Sequence, residues 1–166
     1  HFGLGGLERD WGAALRLYGW LADAGDPGSM NSIGCLHYYG GHGVKQNYAT
    51  AANWFRRAAM TGDGLGYCNI GECYYYGRGV TKDLATARKY IKEAENKGAV
   101  KGIGMLGTMM FKGEGGDRKL SEGVALWERA AAMGDPQARA NLDALGALDA
   151  SSFPLVDEEV NLNPHL

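Results

Sequence analysis

Glycine returns along this chain with a fixed period. Gly25, Gly62, Gly98 and Gly134 are separated by 37, 36 and 36 residues. Gly34, Gly71 and Gly107 follow the first three at an interval of nine, and Gly40, Gly77 and Gly113 come six residues later. Other columns keep the same register: Ile33, Ile70, Leu106 and Leu142, and likewise Leu21, Ala58, Ala94 and Ala130. Several independent columns in one register mean that one supersecondary unit is used repeatedly, each copy burying its apolar face against the next. The 27 glycines stand beside only four prolines and show no period of three, which excludes a collagen-like chain. With 45% hydrophobic and 22% charged residues, the chain carries enough apolar surface to fold.

Each unit reads as two helices. Asp26, Asp63 and Asp135 follow the first glycine column as N-caps, and Pro27 and Pro136 take the first helical position, where a missing N–H costs nothing. This A helix is expected to run to Tyr39, Tyr76 and Lys112, where Gly40, Gly77 and Gly113 stop it in a left-handed conformation. The B helix starts near Asp10, Asn47 and Asp83. It carries apolar residues at helical spacing (Ala51, Trp54, Phe55, Ala58; Ala87, Tyr90, Ile91, Ala94) up to the next glycine. Small residues at Ser29, Gly66, Gly102 and Ala138, and at Gly34, Gly71 and Gly107, would let helices approach closely.

The strings Ile70-Gly-Glu-Cys-Tyr74-Tyr-Tyr-Gly77-Arg-Gly79-Val80-Thr-Lys-Asp83 and Ala51-x-x-Trp54-Phe-x-x-Ala58-Ala59-x-x-Gly62 resemble the Sel-1-like repeat, a relative of the tetratricopeptide repeat. The resemblance extends to about Leu148. It implies an all-α fold, a right-handed α/α superhelix whose A helices line the concave face. The expected organisation is one solenoid over residues 1–150. It comprises a partial repeat (1–26), full repeats over 27–62, 63–98 and 99–134, a capping helix over 135–150, and a C-terminal tail over 151–166.

The chain departs from the pattern in places. Gly40-Gly41-His42-Gly43 holds an extra residue, Lys119 replaces a capping aspartate, Met110 takes a tyrosine column, and Trp127 falls one position late. Arg139, Asn141 and Asp143 make the last A helix more polar, as suits a terminal cap. Phe2, Gly5 and Gly6 resemble the end of an A helix whose start is missing, so further N-terminal repeats, or self-association through an open end, are expected. The chain opens His1-Phe2-Gly3 without an initiator methionine, so it does not speak to targeting, and the cytoplasm and a bacterial periplasm or secreted location are both compatible.

Little in the sequence points to chemistry. A net charge of −2 and a pI near 6.1 argue against sequence-independent nucleic-acid binding, and no apolar run is long enough to enter a membrane. Gly102-Ile-Gly104-Met-Leu-Gly107 spells a dinucleotide fingerprint but lies inside an A helix without the required strand. Cys35, His37 and His42 lack a fourth zinc ligand nearby. Cys68 and Cys73 lie about 140° apart around one helix and cannot pair. The B helices hold no cysteine, unlike the cysteine-rich secreted members of the family, where a disulfide ties the two helices of each repeat. No catalytic residue, cofactor or metal is therefore expected.

The positive expectation concerns a surface. Projection of the A helices at 100° per residue sets Asn31, Cys35, Tyr38 and Tyr39 opposite the packed side in the first unit. Cys68, Asn69, Glu72, Tyr75 and Tyr76 follow in the second unit, and Met105, Thr108, Phe111 and Lys112 in the third. Tyrosine is rigid and amphipathic, and asparagine can pair with an extended backbone. All but Cys68 and Lys112 are taken as partner-binding residues of a non-catalytic protein or peptide scaffold or adaptor, of which a bacterial interaction or immunity protein would be one form. The alternatives are a hydrolase of cell-wall or β-lactam substrates built around Glu72, Tyr75 and Cys35, and a purely architectural segment of a larger protein. The tail reads by default as a solvated terminus, and the sharper alternative is that Phe153-Pro-Leu-Val folds back over the last helix pair.

Overall fold

The computed structural model describes residues 11–147, which form eight helices. These are α1 (Trp11–Asp23), α2 (Pro27–Tyr39), α3 (Tyr48–Met60), α4 (Gly64–Tyr76), α5 (Leu84–Asn96), α6 (Val100–Lys112), α7 (Leu120–Ala132) and α8 (Pro136–Ala147). The expectations for Phe2, Gly5, Gly6, Asp10 and the tail 151–166 lie outside the described residues. The even-numbered helices are the A helices. They end at Tyr39, Tyr76 and Lys112, as the glycine columns require.

The caps are made by the expected side chains. Asp26 Oδ2 accepts the Ser29 N–H at 2.7 Å, Asp63 Oδ2 that of Gly66 at 2.6 Å, and Asn47 and Asp83 those of Thr50 and Thr86 at 3.0 Å. Helices α6 and α7 begin at Ala99 and Lys119, and neither has a side-chain cap bond. At the other ends, Gly77 and Gly113 adopt the left-handed helical conformation. Gly40 differs from expectation: at φ 75° and ψ −176° it leads into the inserted turn, which Gly41 and Val44 close with reciprocal backbone bonds of 3.0 and 2.9 Å.

The small columns explain the packing. A methyl group at Gly71 would stand 2.6 Å from Ile91 Cδ1, and one at Gly107 would stand 2.8 Å from both Trp127 Cδ1 and the Gly123 carbonyl. At Gly34 it would collide with the Phe55 ring. Phe55, Ile91 and Trp127 thus occupy one B-helix column that drops onto one A-helix glycine column. Trp127 is therefore not a slipped copy of Trp54; it fills the place of Phe55 and Ile91. Between units, a methyl at Gly66 would stand 2.5 Å from the Ala59 nitrogen, and at Gly102 2.7 Å from Ala94 Cβ.

Each helix packs on its neighbours in sequence. Successive A helices also approach backbone to backbone, α2 on α4, α4 on α6 and α6 on α8, whereas among the described residues successive B helices meet only through long side chains, as in the Arg57–Asp23 and Arg129–Glu95 ion pairs. The A helices are therefore closer together, and the stack curves with them on its inner side. The result is the expected all-α superhelix. Ile70, Ile91, Ile103, Leu106 and Met109 are fully buried along its length.

Candidate binding groove

A groove of about 1010 Å³ lies on the inner side of α4, α6 and α8. It receives six of the eleven residues taken as partner-binding, Glu72, Tyr75 and Tyr76 from α4 and Met105, Thr108 and Phe111 from α6, together with the projected Lys112. The helical repeat sets them there, because residues three or four apart on α4 and α6 share a face and the repeat stacks equivalent faces. Tyr76 is 54% exposed and stands edge-on to Tyr75, with ring centres 4.8 Å apart.

The polar groups of the groove are held in place. Tyr75 donates its hydroxyl hydrogen to Glu114 Oε2 at 2.7 Å; burial together with this bond pushes its pKa up to about 12. Thr108 gathers three bonds at the floor. Its hydroxyl donates to the Gly104 carbonyl at 3.2 Å and accepts from Trp127 Nε1 at 3.1 Å and Asn141 Nδ2 at 3.3 Å. Glu72 pairs with Lys101 across α4 and α6, with Nζ 2.7 Å from Oε1. Burial works against the charge on Lys101, but Glu72 outweighs it and holds the ammonium pKa above its ordinary value.

The other five candidates lie elsewhere. Cys35 and Tyr39 line a separate hollow of about 290 Å³ with Tyr18, Leu36 and His42, between α1 and α2. Tyr38 is only 9% exposed, so its projection to the open side is corrected. Its ring packs among Ala51, Ala52 and Phe55, 5.1 Å from the Tyr48 ring, and its hydroxyl accepts a hydrogen bond from Arg78. Asn31 and Asn69 are buried as well, in a chain of side-chain bonds: Asn69 Nδ2 to Asn31 Oδ1 at 3.2 Å, then Asn31 Nδ2 to Asp63 Oδ2 at 2.7 Å. They interlock repeats rather than face the groove. Cys68 is likewise corrected: it is fully buried, and burial, with Glu72 adding to it, pushes its thiol pKa up to about 12.

Sequence reasoning passed over Lys101, Asp135, Gln137, Asn141, Ala144 and Leu145, which complete the groove. The signal was present. Asn141 stands in the column of Asn69 and Met105, and Ala144 in that of Glu72 and Thr108. Treating α8 only as a polar cap left those columns unread. The sequence Gly102–Gly107 lies within α6, where its glycines accommodate Ala94, Asp135 and Trp127 rather than a phosphate. Among the described residues, no group of three or more His, Cys, Asp or Glu side chains is placed to hold a metal, and no helix is long and apolar enough to cross a membrane.

Comparison with known proteins yields a consistent picture. The Sel1 repeat model matches residues 27–63, 64–98 and 102–135. A Sel1 repeat protein from Oxalobacter formigenes has a similar structure, with 30% identity, a TM-score of 0.78, and coverage of 86% of this chain and 58% of that one. The chain thus spans less than two thirds of that protein's length. The c5321 protective antigen of uropathogenic Escherichia coli strains, which displays the SLR fold, is 22% identical with a TM-score of 0.58 over 77% of this chain and 35% of its own. Helicobacter pylori cysteine rich protein B is 22% identical with a TM-score of 0.61 over 83% of this chain and 98% of its own. No curated protein matches the sequence.

Proposed function

The chain belongs to the Sel1 repeat family, whose repeats mediate protein interactions, and from that premise we propose that it is a non-catalytic scaffold holding a protein or peptide segment in the groove of α4, α6 and α8. The observation that carries this reading is the groove itself. It is open and largely apolar, lined by Tyr75, Tyr76, Met105 and Phe111, and the hydroxyls of Tyr75 and Thr108 are already hydrogen-bonded within the protein. Pre-ordered aromatic surface binds with little conformational cost, which is how a few residues come to dominate an interface.

The hydrolase alternative draws less support from the side chains it names. Glu72, the carboxylate such a reading requires, is engaged by Lys101, and burial raises rather than lowers the pKa of the Cys35 thiol.

The test is capture from native lysate with wild-type protein and a Tyr76→Ala/Met105→Ala variant, with bound proteins identified by mass spectrometry. Both side chains line the groove outside the fully buried core, so the variant should retain its fold. A partner held by the wild type and released by the variant supports the reading; a partner held equally by both overturns it. Tyr39→Ala, at the smaller hollow, serves as the control that should leave capture unchanged.

A further inference from the structure

The junctions between repeats follow one rule, and the last junction breaks it. An A-helix residue in the column Asn31, Cys68 and Gly104 faces the residue that caps the next A helix: Asp63, Ala99 and Asp135. At the first junction Asn31 gives its amide hydrogen to the Asp63 carboxylate. At the second both members are apolar, with Cys68 and Ala99 in one cluster. At the third the cap is again an aspartate, but Gly104 offers it no side chain. Asp135 Oδ2 lies directly against Gly104, in the space where a side chain would begin.

One carboxylate oxygen of Asp135 has no protein donor among the described residues. Its Oδ1 accepts the N–H groups of Gln137 and Ala138 at 2.9 and 3.3 Å, as a cap should. Among the described residues no side chain donates to Oδ2 and no cation pairs with it. Gly104 and Asp135 both line the groove of about 1010 Å³. Its other carboxylate, Glu72, is already matched by Lys101.

We propose that Asp135 is the polar anchor of the groove, and that the partner sets a lysine or arginine against its Oδ2 from a segment whose neighbouring residues are apolar. This rests on the groove reading above and names the chemistry of its occupant. A cationic donor satisfies Oδ2, and in a partly desolvated groove such a pair fixes register and specificity. Apolar flanks suit Tyr76, Met105 and Phe111.

The test uses a displayed library of random dodecapeptides selected on the wild-type protein. Each selected peptide is then titrated against Asp135→Asn, Gly104→Asn and Tyr76→Ala/Met105→Ala. Asparagine caps helices as well as aspartate does, so Asp135→Asn keeps α8 capped while removing the charge. Gly104→Asn supplies the amide that Asn31 supplies at the first junction, and its Cβ displaces Asp135 Oδ2 from its present place.

Selected peptides should share a lysine or arginine and bind both asparagine variants at least about tenfold more weakly, with the melting temperature of Asp135→Asn unchanged. Peptides that tolerate both variants but lose affinity for Tyr76→Ala/Met105→Ala would overturn the anchor and leave the groove standing. Peptides indifferent to all three would overturn the groove as well. A library yielding nothing enriched on wild type over Asp135→Asn would overturn the anchor.

Discussion

Individual residues here are governed by what lies against them rather than by their type. Gly79 and Gly98 both have φ near +75°, but a side chain at Gly79 would enter the Tyr48 carbonyl, whereas Gly98 has open space. Gly98→Ala should therefore cost only the strain of a left-handed residue, about 1 kcal/mol. Gly79→Ala must also displace backbone and should cost about 3 kcal/mol or more. Paired urea melts of the two variants check the ordering, and equal losses would refute it. The three free thiols divide in the same way. Cys68 and Cys73 are fully buried, with pKa values pushed up to about 12 and about 11 by burial first and Glu72 second, while Cys35 is half-buried. A thiol-exchange assay at neutral pH should titrate Cys35 alone in the native protein and all three thiols after unfolding. Tyr38, Asn31, Asn69 and Cys68 show where helical projection fails at this scale. It ranks residues by angle on one helix, but burial depends on how near the next repeat comes.

At the scale of elements, every complete helix pair is a thirteen-residue A helix and a thirteen-residue B helix, with three residues leading from B to A. Glycine columns, caps and apolar spacing specified these boundaries because each is a local property of the chain. The caps are nevertheless unequal. Asp83 holds only its own helix, whereas Asp63 caps α4 and accepts the buried Asn31 amide. Asp63→Ala should cost about 3 kcal/mol, from a lost cap and a stranded buried amide, and Asp83→Ala visibly less. A double-mutant cycle of Asp63→Ala with Asn31→Ala should show coupling, and strict additivity would remove Asn31 from the account. The turns also lock repeats together. Arg78, in the α4–α5 turn, reaches back to the preceding repeat, with its guanidinium 5.3 Å from the centre of the Tyr38 ring and 5.8 Å from that of Tyr48. Arg78→Ala should loosen this junction while leaving helix content intact, which hydrogen exchange at α2 and α3 would report.

Across the whole molecule, stability is a chain of neighbouring interfaces, so its pH dependence collects groups from several repeats. Tyr75, Cys68 and Cys73 all have folded pKa values above their ordinary ones. The unfolded chain releases these protons first as pH rises, so it binds fewer protons than the native state and gains stability from that point. Their favourable contribution is complete below about pH 9, the ordinary range of the thiols, and should be lost progressively toward pH 12. Melting temperatures recorded across this range should fall, and Tyr75→Phe should flatten the upper part of the decline. The sequence by itself determined the period, the helix pairs, their caps and their family, because these depend on residues close along the chain or repeated at one interval. It also brought six groove residues together, since equal columns in equal units must stack. Only the tertiary structure decided that Tyr38 turns inward, that Asn31 and Asn69 serve a junction, that α8 is a groove wall and that Asp135 lacks its partner. Those outcomes depend on which side chain of one unit meets which side chain of the next, a long-range pairing that a local pattern does not encode.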